Sequence, residues 1–177
     1  SNYFHPGANL ISFYVLPDTS AYLPCCPIEN FGDFDGGLDG ILSAEQAMIY
    51  NDGIPMGSLT EICRDSGYWF KLFNEDYDVP PITGFRTYPD ISYELINGNN
   101  LISFPSDMSY DLDDVIPENL EDVLYAILGE GETAVSIDGN WIGALNSLSG
   151  FNGYWFITTD AVDFTFDFSS DAVASAS

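Results

Sequence analysis

The chain carries the same pattern twice, and this internal repeat limits its possible folds more than any other feature. GYWFKL at residues 67–72 returns as GYWFIT at 153–158, 86 positions later. Ahead of it, GANLISF at 7–13 returns as GNNLISF at 98–104. Because the blocks keep their order, the sequence predicts two copies of one structural unit.

A third block completes the repeat and shows where the copies differ in length. Residues 40–62 align with residues 126–148, with matching Ile-Leu, glycine and leucine positions. The offset is 91 for the first block and 86 for the later ones, so the first copy has five extra residues. We place them at about 17–30, a segment that contains two of the three cysteines.

Most of each copy predicts β-strands. The NLISF and GYWF segments are short apolar runs rich in β-forming residues. Asp52-Gly53 and Asp138-Gly139 predict hairpin turns, each between two further strands. Strict alternation at 91–95 and again at 162–168 predicts one more strand before the second copy and one after it.

Each copy also contains a pattern that predicts one short helix. In the second copy, Pro117 and Glu118 precede apolar residues at helical spacing, namely Leu120, Val123, Leu124, Ile127 and Leu128. The first copy has the same stripe at Phe34, Leu38, Ile41 and Leu42. Gly36-Gly37 interrupts this stripe at a cost of roughly 1 kcal/mol per glycine relative to alanine, so we expect a shorter helix there.

Together these elements predict a mainly β (α+β) fold. We expect two tandem small antiparallel β-sheet or sandwich domains, each with one short helix. The expected boundaries are a first repeat module at 1–76, with a Cys-containing insertion at about 17–30, a Pro-rich linker at 77–90, and a second module at 91–160. A trailing strand follows at 161–177, and because it resembles the strand that leads into a repeat, we expect it to start a further repeat of a longer array.

The charge balance restricts the partners of this chain. Three basic residues stand against 28 carboxylates, which gives a formal net charge of −25. Such a surface repels the phosphates of nucleic acids and of anionic membranes. It suits a salty or calcium-rich medium, where ions screen the self-repulsion. The aromatic content of 15% argues against disorder.

The sequence offers little to catalytic chemistry. His5 is the only histidine, so neither a Ser-His-Asp nor a Cys-His arrangement is indicated, and no P-loop is present. With Cys25, Cys26 and Cys63 as the only thiols, a zinc site would need an unusual ligand set. The sequence allows either a disulfide from Cys63 to Cys25 or Cys26, or free buried thiols. We predict no enzyme, no catalytic residue and no cofactor.

One segment resembles a calcium-binding EF-hand loop. Residues 35–46, DGGLDGILSAEQ, have Asp at loop positions 1 and 5 and Gly at 6, but Gln46 replaces the bidentate Glu. The repeat aligns this segment with the predicted helix of the second copy, which favours a helix. Looser calcium binding by two carboxylate clusters is open, although solvated loops explain both more simply: Asp33, Asp35 and Asp39, and Asp107, Asp111, Asp113 and Asp114. We therefore predict no metal site.

The repeated aromatic pairs allow two interpretations. Tyr68 with Trp69, and Tyr154 with Trp155, could stack on sugar rings of a glycan. However, neighbouring residues of a strand face opposite sides, so one residue of each pair is expected in the core. Recurrence in both copies favours core packing. Trp141, which has no counterpart in the first copy, is the better candidate for an exposed contact.

The ordered motifs of the repeat resemble a known kind of module. The set G-x-NLISFP, GSLT and GYW-x-KL is similar to repeats of large acidic surface proteins, which occur in secreted bacterial proteins and in virion structural proteins of marine phages. This chain departs from the pattern where the first copy has Met56 in place of Ile142, with no tryptophan nearby, and in its cysteine-rich insertion. The resemblance implies an extracellular or virion-surface building block without known catalysis.

From these observations we expect a non-enzymatic structural or display module. It would act through repeated contacts with other copies of itself or with other coat or surface proteins. The alternative is a glycan-binding or adhesion module, with or without calcium.

Overall fold

The computed structural model describes residues 3–17, 23–31, 37–73, 77–78 and 82–169. In these ranges the chain is mainly β, which confirms the predicted fold class. Helical structure there consists of a 3₁₀ helix, Ile28–Phe31, and two four-residue helices, α1 (Leu112–Val115) and α2 (Glu118–Glu121). Within the described ranges, no helix has the length and apolar character required to cross a membrane.

The strands fall into two sets. The first set, with the 3₁₀ helix, is called module 1 and comprises β1 (Tyr3–Phe4), β2 (Gly7–Ile11), β3 (Val15–Leu16), β4 (Cys25–Pro27), β5 (Leu38–Leu42), β6 (Ala47–Asn51), β7 (Ile54–Gly57), β8 (Glu61–Cys63), β9 (Tyr68–Leu72) and β10 (Tyr77–Asp78). Strand β11 (Phe85–Arg86) follows it. The second set, with α1 and α2, is called module 2 and comprises β12 (Tyr93–Leu95), β13 (Gly98–Ile102), β14 (Ser109–Asp111), β15 (Leu124–Leu128), β16 (Thr133–Ile137), β17 (Asn140–Gly143), β18 (Ser147–Ser149), β19 (Tyr154–Thr158) and β20 (Val162–Phe164).

The two modules share one strand arrangement. Their five-stranded sheets have the orders β2-β9-β5-β6-β7 and β13-β19-β15-β16-β17, and all their strand pairs are antiparallel. Two-stranded ribbons also correspond, β4–β8 with β14–β18 and β1–β10 with β12–β20. Both predicted hairpin turns are present, with φ near 50° at Asp52 and Asp138 and φ of 78° at the glycine that follows each.

The asparagine of each NLISF motif anchors the start of its sheet. The Asn9 amide donates to the carbonyls of His5, Gly7 and Phe70, while its oxygen accepts from the His5 N–H at 2.9 Å. Asn100 makes the same four contacts in module 2, with Ile96, Gly98 and Phe156. Both side chains are buried, so the motif needs a residue that donates and accepts at once.

The predicted helix over 117–128 is wrong beyond its first turn. Helix α2 does begin after Pro117, but it ends at Glu121, and strand β15 follows. The strand register against β19 shifts between Leu124 and Ala126, which marks a β-bulge. The extra residue places Leu124 and Ile127, three positions apart, in the same core, so the bulged strand imitates helical spacing.

The glycine-interrupted helix predicted for the first copy is wrong for the same reason. Residues Leu38–Leu42 form strand β5, and its register against β9 shifts between Leu38 and Gly40. Leu38 and Ile41 are both buried as a result. Because β5 occupies the middle of the segment 35–46, that segment is not an EF-hand loop. Phe34 and Gly36 lie outside the described residues.

The cysteines lie on a ribbon that both modules possess, not on an insertion. Cys25 and Cys63 form a disulfide across β4 and β8, with Cα atoms 4.0 Å apart. Ser109 and Ser149 take the equivalent places across β14 and β18, and their hydroxyl oxygens are 2.5 Å apart. Phe13 precedes Cys25 by 12 positions, whereas the equivalent Phe104 precedes Ser109 by five. The first copy is therefore seven residues longer before Cys25 and two shorter between the ribbon strands, where 38 positions replace 40, which gives the five extra residues overall.

Strand β20 closes module 2. It pairs with β12 as β10 pairs with β1, and Phe164 and Phe166 enter the core of module 2. This pairing joins residues 162–164 to module 2, and the further repeat stays a prediction. Residues 170–177 lie outside the described part of the chain.

The segment after module 1 packs against that module. Strand β11 pairs with β3, and the buried Arg64 guanidinium donates hydrogen bonds to the Phe85 carbonyl at 2.9 Å and to Thr87 Oγ1 at 3.1 Å. Arg86 then reaches module 2 through an ion pair of 2.8 Å with Asp107. The expected linker at 77–90 is thus extended in part and is tied to both modules.

Candidate functional site

One residue of each repeated aromatic pair belongs to the core, as predicted, and in both copies it is the tyrosine. Tyr68 and Tyr154 are buried, and each hydroxyl accepts a hydrogen bond of 2.8 Å from a backbone N–H of the neighbouring ribbon, that of Cys63 or Ser149. Burial raises the pKa of Tyr68 to about 12 and raises the pKa of Tyr154 above its ordinary value. Neither tyrosine is available to stack on a ligand.

The tryptophans of the same pairs lie on the opposite face of each sheet. Trp69 and Trp155 are half-buried. Residues opposite each other in neighbouring strands share a face, so the strand registers define the rest of that surface. The apolar residues of outer face 1 are Leu42, Ala47, Ile49, Ile54, Met56 and Trp69. Outer face 2 comprises Leu128, Thr133, Val135, Ile137, Ile142 and Trp155.

Both outer faces expose large apolar side chains. Ile49 is 58% exposed and Ile54 63% on outer face 1, and Ile142 is 55% exposed on outer face 2. Cross-strand neighbours extend these patches, because Ile49 is paired with Met56 and Val135 with Ile142. Continuous exposed apolar surface is uncommon on soluble proteins and marks interaction sites.

The outer faces also lack the charge that dominates the rest of the chain. None of the 28 carboxylates belongs to the twelve residues that define the two faces. Lys71 is the charged residue of outer face 1, because it lies two positions after Trp69 on the same side of β9, and it forms an ion pair of 3.4 Å with Asp39. Ile157 takes the equivalent position on outer face 2. A surface of this composition is suited to contact with protein.

Trp141, the predicted exposed contact, is only half-exposed. It packs against the core of module 2 and lines a groove of about 280 Å³ together with Glu121, Asp122, Ser136 and Gly139. Burial, followed by the charges of three neighbouring carboxylates, raises the pKa of the Glu121 carboxyl: Asp113, Glu118 and Asp122. The groove therefore combines an indole with carboxylates on the side of the sheet opposite to outer face 2.

The acidic clusters do not form a metal site within the described residues. Asp39 and Asp107 are each held by a basic side chain, Lys71 and Arg86 respectively. Across the described ranges, no group of three or more His, Cys, Asp or Glu side chains could hold a metal ion. Asp33 and Asp35 lie outside the described residues.

The modules join through reciprocal contacts that sequence reasoning missed. The Gly153 N–H donates to the Leu10 carbonyl, and the Gly67 N–H donates to the Leu101 carbonyl, at 3.2 Å in both cases. These glycines open the two GYWF motifs. Each copy thus uses the same residues to contact the other, as in an isologous dimer.

The close approach explains why both motifs begin with glycine. A Cβ at Gly153 would lie 2.7 Å from the Ile11 carbonyl oxygen, and a Cβ at Gly67 would lie 2.9 Å from that of Ile102. Both distances are shorter than real Cβ contacts, and the neighbouring atoms are backbone. The recurrence of Gly67 and Gly153 was the sequence signal for this contact, because a glycine that precedes the same strand in both copies indicates a close approach of another backbone.

The side chains that cross the contact between the modules are not the same in the two directions. Phe151, with φ of 70°, enters the aromatic core of module 1, and its ring centroid lies 5.7 Å from those of Phe4 and Phe13. The equivalent residue of module 1 is Asp65, which is exposed. Module 2 therefore completes the core of module 1.

Comparison with known proteins gave no match among family models, curated proteins or solved structures.

Proposed function

We propose that this protein is a non-enzymatic structural or display module of an extracellular or virion surface assembly. It acts through repeated protein–protein contacts with other copies of itself or with other coat proteins. The observation that carries this proposal is the pair of predominantly apolar outer faces on a chain of net charge −25.

The two outer faces make assembly a natural use of the fold. A single apolar face would support a closed dimer, whereas two faces on one chain allow each copy to contact two neighbours. Several weak contacts then combine into stable attachment. Charge repulsion between copies opposes this association, and salt or divalent cations reduce that repulsion.

The disulfide supports a location outside the reducing interior of a cell. Cys25–Cys63 joins two strands of module 1, and such bonds persist mainly in secreted or surface proteins. This agrees with the resemblance to surface-protein repeats, which implies the same setting.

Self-association as a function of salt tests the proposal. We expect the wild-type chain to form dimers or larger species at high salt in light scattering coupled to size exclusion. The double substitution Ile49→Asp and Ile142→Asp should keep it monomeric, because each new carboxylate needs desolvation in the contact.

A matched control separates the outer faces from the effect of added charge. Ser92→Asp and Thr165→Asp add the same two charges at exposed positions away from both faces, and this variant should associate like the wild type. A wild-type chain that stays monomeric at every salt concentration contradicts self-assembly, as does equal behaviour of the two double variants.

A second candidate, glycan binding, rests on the groove beside Trp141. An indole flanked by Glu121, Asp122 and Ser136 has the polar and apolar groups that sugar recognition uses. Titration of acidic and neutral oligosaccharides, followed by tryptophan fluorescence with and without calcium, tests it. We expect a signal that Trp141→Phe removes and Trp69→Phe leaves. Identical titration curves for the two variants contradict this candidate.

A further inference from the structure

Strands β2 and β13 are equivalent edge strands, but a side chain of the other module covers the edge of β2. The Glu130 carboxylate, in the turn between β15 and β16, accepts a hydrogen bond of 3.2 Å from the Leu10 N–H. Its second oxygen contacts Nε2 of His5. Glu130 therefore fills the place that another strand would take beside β2.

Ala44 stands where module 1 would need such a glutamate. The turn between β5 and β6 and the turn between β15 and β16 are closed by the same backbone hydrogen bond, 2.8 Å long in each. Ala44 and Glu130 occupy the same position of these turns. A methyl group accepts no hydrogen bond, so Ala44 cannot cover β13 as Glu130 covers β2.

The backbone of β13 points into the space beside Ala44. The Leu101 carbonyl accepts a hydrogen bond from Gly67 of module 1, so the backbone groups of Leu101 face away from β19. The N–H of a strand residue points to the same edge as its carbonyl, and the next residue that faces this edge is two positions away. The N–H groups of Leu101 and Asn99 therefore face the open edge.

This edge forms one wall of a groove between the modules, with a volume of about 220 Å³. Three exposed carboxylates line it, those of Glu45 and Asp65 from module 1 and that of Glu94 from module 2. Ile96, which is also exposed, adds apolar surface. The groove thus presents backbone hydrogen-bonding groups within a strongly negative surface.

We propose that this groove binds an extended peptide segment of a partner protein that carries lysine or arginine and adds a short strand to β13. The peptide carbonyl takes the role at the Leu101 N–H that the Glu130 carboxylate has at the Leu10 N–H. The basic side chains pair with Glu45, Asp65 and Glu94, and strand addition supplies main-chain hydrogen bonds.

The charge of the groove decides for a basic peptide over a small anion. A free carboxylate would suit the Leu101 N–H alone, as Glu130 suits that of Leu10. The three carboxylates that line the groove would repel it, whereas they attract ammonium or guanidinium groups. The groove uses neither outer face, so this inference stands or fails independently of the proposed assembly.

Titration of a labelled probe peptide tests the inference. The probe is the capped hexapeptide Thr-Lys-Val-Lys-Val-Thr, followed by fluorescence anisotropy against the full chain at low salt. We expect saturable binding that weakens as salt increases. Ala44→Glu should weaken it by about tenfold or more, since the new carboxylate takes the Leu101 N–H as Glu130 takes that of Leu10.

Two control peptides separate strand addition from charge attraction. A peptide with glutamate in place of lysine should not bind. A peptide N-methylated at both lysines and both valines keeps its charges but cannot pair along either edge, and it should bind at least about tenfold more weakly. Equal binding of the lysine peptide and its N-methylated form overturns the inference.

Amide hydrogen exchange keeps the test valid if Ala44→Glu perturbs the fold. In the wild type we expect the Leu101 amide to exchange faster than the Leu10 amide, and the peptide to slow exchange at Leu101 and Asn99 but not at Leu10. The double variant Glu45→Gln, Glu94→Gln leaves the backbone edge open. It should weaken binding of the peptide by about tenfold without changing exchange of the Leu101 amide in the unbound protein. No slowing of Leu101 by saturating peptide, or no binding of the lysine peptide, also overturns it.

Discussion

The two modules have the same strand order, yet they differ in what each contributes to the other. Module 2 sends Phe151 into the aromatic core of module 1 and lays Glu130 over the edge of β2. The equivalent residues of module 1 are Asp65, which is exposed, and Ala44. Reciprocal backbone contacts join the modules, but these side chains reach in one direction only.

This difference shows that tandem copies of one fold need not be independent. Module 1 depends on module 2 for part of its core and carries a disulfide of its own, whereas module 2 has the Ser109–Ser149 pair at the same place. The covalent link thus lies in the copy whose core is completed by the other module.

Removal of the Phe151 side chain should produce the largest effect. Phe151→Ala leaves a cavity among Phe4, Phe13 and the neighbouring rings, and we expect a loss of about 3–5 kcal/mol in the free energy of unfolding. Chemical denaturation measures the loss, and hydrogen exchange should locate it in module 1, although the substitution lies in module 2.

Asp65→Ala is the matched control, because it truncates the equivalent residue of the other module. Because this side chain is exposed and has no core contacts, its truncation should change the free energy of unfolding by no more than about 0.5 kcal/mol. Similar losses for Phe151→Ala and Asp65→Ala would contradict the one-directional contribution.

Loss of the disulfide should have the second largest effect. The bond closes a loop with a sequence separation of 38, so Cys25→Ser with Cys63→Ser should lower the stability by about 2–4 kcal/mol, mainly through the unfolded state. Thermal unfolding under oxidising and reducing conditions measures this loss. Ser109→Ala with Ser149→Ala, at the equivalent places, should lower stability by only about 1 kcal/mol. Equal losses would mean that the disulfide adds nothing beyond a local contact.

The interface glycines test the reciprocal part of the contact. Gly67→Ala and Gly153→Ala each force a Cβ against a backbone oxygen, so we expect each to lower stability by about 1–3 kcal/mol, and by similar amounts. Gly129→Ala is the control, because its added Cβ would meet only an ordinary contact, 3.4 Å from the Tyr154 ring. Clearly unequal losses at Gly67 and Gly153, measured by denaturation, would show that the interface is not symmetrical in its backbone.

The elements that sequence reasoning predicted are those set by neighbouring residues. The hairpin turns at Asp52 and Asp138, and the burial of one residue of each Tyr-Trp pair, follow from short motifs whose geometry is local. The predicted helices were wrong because a β-bulge depends on the register against a distant strand. Within one copy of the repeat, a bulged strand and a helix can both place buried apolar residues three positions apart, so the spacing alone does not distinguish them.

The candidate surfaces were harder to predict than the fold, for a similar reason. Exposed Ile49 follows the buried Met48, and exposed Ile142 follows Trp141, which packs against the core, so only the register shows which side of each strand faces water. The groove at β13 is open because Ala44 has no carboxylate to cover the edge at Leu101. These two residues are 57 positions apart in the sequence. Neither feature leaves a pattern within a single segment.

The equivalent tyrosines provide the smallest predicted effect, which depends on pH. Tyr68 ionises in the unfolded chain near its ordinary pKa of 10, but burial raises its pKa to about 12 in the folded state. Its contribution to stability is therefore fully present below pH 10 and is lost as the pH rises from 10 to 12, by up to about 1.4 kcal/mol per pH unit. Denaturation at pH 9, 10 and 11 should show a decline in stability that is shallower in Tyr68→Phe.

The pKa of Tyr154 is raised by the same cause, so Tyr154→Phe should flatten the profile in the same direction. An unchanged slope in both variants would mean that the two hydroxyls ionise equally easily in the folded and unfolded chains. In that case the burial shared by the two modules would contribute nothing to their resistance to alkali.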